Sequence, residues 1–178
     1  MKKKNQSGST VDFQFACELG NSEDWAVLKG AFYHWEGSHW EMQGDDKMER
    51  RAFTWLTNHF PEEIKAHRAE QLVKAALLYC NPLMEITSRN IVPTKDCYLE
   101  IHSDGSIQAF QPERDLGMTY VVNADIGCHQ GVYLPADLPR DSHFFRFISS
   151  SLPLPEVRQV VQEYVGYTLI TSTKFQVG

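Results

Sequence analysis

The stretch Trp25 to Met42, WAVLKGAFYHWEGSHWEM, leaves its backbone few choices. Apolar and polar residues alternate on both sides of Gly37-Ser38. A two-residue turn, with glycine in the position that needs positive φ, makes the two arms antiparallel. That register sets Trp35 opposite Trp40 and Tyr33 opposite Met42 on one face, with Glu36 facing His39 and His34 facing Glu41 on the other. A strand pair with one apolar and one polar face is therefore expected, its apolar face covered by the next helix through Trp55 and Phe60. A stacking platform for unpaired bases looks the same locally. The apolar face needs a covering layer, which favours a core role for these rings.

Two helices are predicted next. Asp45 or Asp46 suits the cap of the first, with Met48, Ala52, Trp55, Leu56 and Phe60 at helical spacing. The second carries Ala69, Leu72, Val73, Ala76, Leu77 and Cys80 and stops at Asn81-Pro82. The middle of the chain reads as β. Ser103-Asp104-Gly105-Ser106 forms a loop that aligns Ile101 with Ile107 and Leu99 with Ala109 if Gly105 is left-handed. Leu116–Ala124 is a further strand candidate, and Val132-Tyr133-Leu134 a short one inside a loop. Asp141 or Ser142 opens a helix expected to bury Phe144, Phe145, Ile148 and Leu152. Pro155 opens the last helix, with Val157, Val160, Val161, Tyr164, Val165 and Thr168 as its inner stripe. The predicted fold class is α+β: an N-terminal β-hairpin with two helices, central antiparallel strands and two C-terminal helices. Residues 1–24 read as a flexible tail and entry segment, and 25–178 as one domain with subdomains 25–87 and 88–178.

Composition narrows the function classes. At 178 residues with 42% hydrophobic and 22% charged content, the chain is long enough for a real core. Its net charge of −6 argues against a domain built mainly to grip phosphate backbones. Cys17, Cys80, Cys97 and Cys128 contain no C-x-x-C pair and read as small buried hydrophobes in a reducing cytosol. A zinc site at Cys128-His129 would need distant partners, whereas ligand pairs normally come at fixed short spacing. No apolar run is long enough to span a bilayer, and MKKKNQSGST lacks the apolar stretch of a signal peptide. The chain contains no G-x-S-x-G, H-E-x-x-H, Gly-rich dinucleotide loop or Asp-x-Asp pair. Glu62-Glu63 falls at a helix start, where carboxylates favour the dipole, a structural role. No catalytic, cofactor-binding or metal-ligating residue is predicted. Lys65, His67, Arg68 and Lys74 read as the basic cluster of the chain. They form either a solvated helix face or a contact for a nucleic-acid backbone.

One order of elements is specific. Ile91-Val-Pro-Thr-Lys-Asp-Cys-Tyr-Leu-Glu-Ile101 is followed by Asp104-Gly105, Pro112-Glu-Arg-Asp115, Met118-Thr-Tyr120 and Phe144-Phe145-Arg-Phe147. Val160-Val-Gln-Glu-Tyr-Val-Gly-Tyr-Thr-Leu169 then closes the series. This resembles the region just before the superfamily-3 helicase in phage- and plasmid-type primase–helicases of the poxvirus-like family. The resemblance covers 91–176 best and 25–178 loosely. Its most specific part is the E-x-x-G-Y-x-L element at Glu163, Gly166, Tyr167 and Leu169. Asp96-Cys97 stands where that family often has Asn-Gly. Lys174-Phe175-Gln176-Val177 is similar to the first strand of the motor, so the chain is expected to stop one element before the phosphate-binding loop. No Gly-x-x-x-x-Gly-Lys-Ser/Thr occurs here, and ATP with Mg is implied only for that helicase domain.

What the resemblance implies is a non-catalytic DNA-replication module of a mobile element, cytoplasmic in a bacterial or phage-host cell. It would link a primase to a ring helicase and assist ring assembly. Its partners would be the helicase domain that follows, further copies of itself in a homo-oligomer, and DNA weakly or indirectly, with no membrane. A single-stranded or duplex DNA-binding module and a stand-alone protein-binding regulator are the alternatives.

Overall fold

A computed structural model describes residues 10–127 and 130–170. The chain divides into two compact units, Met1–Glu85 and Ile86–Gly178. The architecture is α+β, with a three-stranded and a four-stranded antiparallel sheet.

The first unit opens with helix α1 (Val11–Gly20), inside the segment expected to be a flexible tail and entry. Thr10 caps it: the Phe13 N–H donates to Thr10 Oγ1 at 3.3 Å. The tail reading fails here because Phe15, Ala16 and Leu19 share one face and are buried. Three strands follow, β1 (Trp25–Leu28), β2 (Ala31–Trp35) and β3 (Trp40–Gln43), paired in that order. The arm expected as one strand is thus folded on itself at Lys29-Gly30. Both residues have positive φ, 50° and 79°, as a tight two-residue hairpin turn demands. The second turn has Gly37 at φ 85°, and the expected register holds: Trp35 pairs with Trp40, Tyr33 with Met42 and His34 with Glu41.

The faces differ from expectation. Side chains alternate along a strand, so Trp25, Val27 and Phe32 share the side of His34 and Glu41 and enter the main core. The opposite side, with Tyr33, Trp35 and Trp40, packs on Ala26, Leu28 and Leu83. Trp40 is buried as predicted, but its cover is Leu83 and the neighbouring strands, not Trp55. Trp55 lies edge-on to Phe15 of α1, with ring centroids 5.3 Å apart, and tilted against Phe60 at 5.5 Å. A helix invisible behind the tail supplies the partner that the hairpin was expected to provide.

Helix α2 (Asp45–His59) has Gly44 at its N-cap position, with no side-chain cap. Asp45 and Asp46 lie in the first turn instead, where their charge favours the dipole. A short 3-10 turn (Pro61–Glu63) leads to α3 (Ala66–Tyr79). Met48, Ala52 and Leu56 of α2 and Leu72, Val73 and Ala76 of α3 close the core with α1. Where α1 ends, the helices approach closely: a Cβ on Gly20 would stand 2.5 Å from Tyr79 Cδ1, so a larger residue would force the Tyr79 ring to move.

The second unit is built on β4 (Ile91–Pro93), β5 (Tyr98–Ile101), β6 (Ile107–Phe110) and β7 (Gly131–Val132) in sequential antiparallel order. The predicted alignment of Leu99 with Ala109 and Ile101 with Ile107 is present, with Gly105 at φ 83°. The hydroxyl of buried Thr94 donates to the Cys97 carbonyl at 2.7 Å and Thr94 N–H donates to the same oxygen at 2.9 Å, closing the β4–β5 turn. Ile91, Tyr98, Leu116 and Met118 form a small core. Leu116–Ala124 is not a strand. Arg114–Leu116 is a 3-10 turn, Gly117 takes φ 64°, and the segment then touches the sheet through one bridge, Val122 to Thr94. Burial of Leu116 and Met118 imitates strand alternation, but the left-handed glycine between them breaks the extended run.

Helices α4 (His143–Ser151) and α5 (Pro155–Tyr167) complete the described chain. Ser142 caps α4 by accepting from Phe145 N–H at 3.1 Å, and Pro155 occupies the first turn of α5. Neither helix buries a residue. Phe144 is 59% exposed and Tyr164 69%, contrary to the expected inner positions. The motor-strand resemblance at 174–177 and the Cys128-His129 pair lie outside the described residues.

Candidate functional site

Structure separates the cations that the sequence grouped. Arg68 is held by Asp12 of α1 at 3.0 Å and Glu63 at 3.2 Å, and its guanidinium also donates to Gln71. Asp12 is far away in sequence, so this clamp ties α1, the 3-10 turn and α3 together. Lys74 Nζ bonds Glu70 Oε1 at 2.6 Å, one helical turn back. That hydrogen bond raises the lysine pKa and lowers the glutamate's. Lys65 is the N-cap of α3 with extended backbone, so it does not share a helical face with Arg68 as expected. His67 is exposed in the first turn. The four do not form a phosphate-gripping surface: two are neutralised locally and the other two are not aligned.

A different set was missed. On α2, Lys47, Arg50 and Arg51 stand at i, i+3 and i+4, turned away from the buried Met48, Ala52, Trp55 and Leu56. All three are exposed, and none is in an ion pair within the described residues. The signal was the run KMERR, whose spacing puts its cations on one side. The acidic residues around it hid the pattern from a reading based on net charge.

Beside this stripe lies a shallow cleft of about 330 Å³ lined by Glu18, Arg51, Thr54, Trp55, Asn58 and His59. The Trp55 indole N–H donates to Glu18, and the His59 ring stacks on Trp55 at 4.8 Å with Nδ1 2.9 Å from the Trp55 carbonyl. Arg51 lies over the Trp25 ring at 4.8 Å. These contacts fix the cleft floor but offer neither a paired nucleophile and base nor converging carboxylates. Among the described residues no group of three or more His, Cys, Asp or Glu is placed to hold a metal.

Cysteine chemistry divides the units. Cys17 and Cys80 are free, and burial pushes the Cys80 thiol up to about 11, so it stays protonated and inert. Cys97 is buried as expected but is disulfide-bonded, which corrects its reading as an unpaired hydrophobe.

The residues of the E-x-x-G-Y-x-L element sit on and just after α5. Glu163 accepts from Gln159 at 2.9 Å, a Cβ on Gly166 would meet open space, and the Leu169 carbonyl accepts from Tyr120 O–H at 3.2 Å. Tyr167 is half-buried and Leu169 exposed. The spacing places Val157, Val160, Val161, Tyr164 and Val165 on one side, the arrangement of a core-facing helix, yet each is 38–69% exposed. Among the described residues no helix is long and apolar enough to cross a membrane. No protein-family model and no curated protein sequence matches the chain.

Proposed function

We propose that the chain is a non-catalytic assembly module of a mobile-element primase–helicase, working by association of α4 and α5 with a second copy of itself. The observation that carries this reading is the apolar stripe of α5 left uncovered together with Phe144 and Phe147 of α4. A large aromatic side chain carries about 150–250 Å². With aliphatics somewhat smaller, the exposed parts of the large apolar residues between 144 and 169 amount to on the order of 800 Å², what one partner gives to a standard interface. A soluble monomer rarely leaves such a stripe bare. The replication role rests on the E-x-x-G-Y-x-L resemblance, and a helicase domain as partner belongs to the same reading; the Cys97 disulfide speaks against the reducing cytosol expected with it. ATP and Mg are implied by the resemblance for a helicase domain alone.

Sedimentation velocity over about a hundredfold concentration range tests the assembly, because mass action makes self-association concentration-dependent. The wild type is expected to associate, and Val160→Asp with Tyr164→Asp to remain monomeric with unchanged far-UV circular dichroism. A wild type that stays monomeric throughout would sink the proposal.

A second reading, contact with nucleic acid, is favoured by the exposed cations of α2, none of which is in an ion pair among the described residues.

A further inference from the structure

We propose that the exposed side of α2, centred on Lys47, Arg50 and Arg51, is a contact surface for the sugar-phosphate backbone of single-stranded DNA. This does not rest on the assembly role, since it lies in the other unit and uses different chemistry.

Several features point to this ligand. The three cations project from little more than one helical turn, and Thr54 and Asn58 extend the same side with a hydroxyl and an amide. At 1.5 Å rise per residue, 47 to 58 spans roughly 16 Å, enough to follow a few successive phosphates. Arginine forks match phosphate oxygens in two-point contacts. Arg51 is already oriented by the Trp25 ring beneath it, so less side-chain freedom is lost on binding. Of the acids of α2, Asp46 stands one turn before Arg50 without forming an ion pair with it among the described residues, Asp45 precedes it, and Glu49 acts on Lys74 of α3.

Two carboxylates border the surface. Glu18, in the cleft, accepts from the Trp55 indole. Glu36 is bonded by His34 at 2.8 Å, and its acidity is raised first by that bond and only more weakly by Lys47. Each has its closest partner elsewhere, and neither forms an ion pair with Lys47, Arg50 or Arg51 among the described residues. A single strand is favoured because Phe53, 42% exposed and one turn from Arg50, leaves part of its ring accessible to an unpaired base. Trp55 in the cleft and Trp25 beneath Arg51 are buried and do not serve in this way.

The test is fluorescence anisotropy with a labelled oligothymidine at several salt concentrations, using the full chain. Wild type is expected to bind weakly, with a log–log salt slope near −2, since each phosphate contact contributes about 0.7 on single strands. K47Q/R50Q keeps Arg51 on Trp25 and so preserves the fold, which circular dichroism verifies. It is expected to weaken binding at least about fivefold and to reduce the slope by about 1.4. K65Q/K74Q makes the same change in net charge on α3 and is expected to leave both nearly unchanged. An unaltered slope in K47Q/R50Q, an equal loss in K65Q/K74Q, or no salt-dependent binding by wild type overturns the proposal. Equal affinity for a duplex of the same length overturns the single-strand assignment.

Discussion

The two units spend similar lengths of chain in opposite ways. In Met1–Glu85 three amphipathic helices and a sheet share one core, so the stripes on α1, α2 and α3 all find apolar partners within the same unit. In Ile86–Gly178 the core is confined to the sheet and the 114–118 segment, through Ile91, Tyr98, Leu116 and Met118. There α4 and α5 carry stripes as regular as those of α2 and α3 but bury nothing. Periodicity is a property of the helix alone, while burial needs a second surface at the right distance. The first unit supplies that surface internally; the second presents one outward.

The comparison breaks most visibly under truncation of the large side chains. Phe15→Ala, at a fully buried position, is expected to lower stability by about 3–5 kcal/mol. Tyr164→Ala should change monomer stability by less than about 0.5 kcal/mol, as at other exposed sites. Urea unfolding at low protein concentration measures both. A large loss from Tyr164→Ala would mean that α5 is packed within its own unit.

A smaller effect separates the units by redox state. Reducing agent, or Cys97→Ser, is expected to cost the second unit about 2–4 kcal/mol, the usual contribution of a disulfide. The first unit should not respond, because Cys17 and Cys80 are free. Amide hydrogen exchange, which resolves local opening, reads each unit separately. Equal loosening of both would show that they unfold as one.

The smallest effect is electrostatic. In the second unit Arg89 grips Glu100 through both nitrogens of its fork and lies 5.1 Å over the Phe110 ring. That hydrogen bond holds the Glu100 carboxyl below its ordinary range. A depressed carboxylate stabilises the fold above its unfolded pKa, and the contribution vanishes as pH falls through the folded one. The pair is partly exposed, so about 0.5–1 kcal/mol is expected to be lost on acidification. R89Q should lose the same amount at neutral pH and remove this part of the acid dependence. A urea midpoint series across pH for both proteins reads it.

How much of this was legible in the sequence follows from the range of each interaction. Gly37 and Gly105 announced their turns because positive φ is a local demand, and the β2–β3 and β5–β6 registers followed from turn length. Ser142 and Pro155 marked their helix starts through contacts within one turn. The candidate site was less legible. Its cations could be listed, but which of them were already paired could not.

What the sequence by itself determined was therefore the α+β class, the turns at Gly37 and Gly105 with the registers they set, and the stripes on α2 to α5, all set by residues a few positions apart. Only the tertiary structure decided that Asp12 reaches Arg68, 56 residues away, and withdraws it from any ligand. Folding also placed Phe15 rather than the hairpin against Trp55, left Lys47, Arg50 and Arg51 outside any ion pair among the described residues, and left α5 bare. Neutralising a charge or covering a stripe needs a partner brought near by folding, and sequence spacing carries no information about that partner.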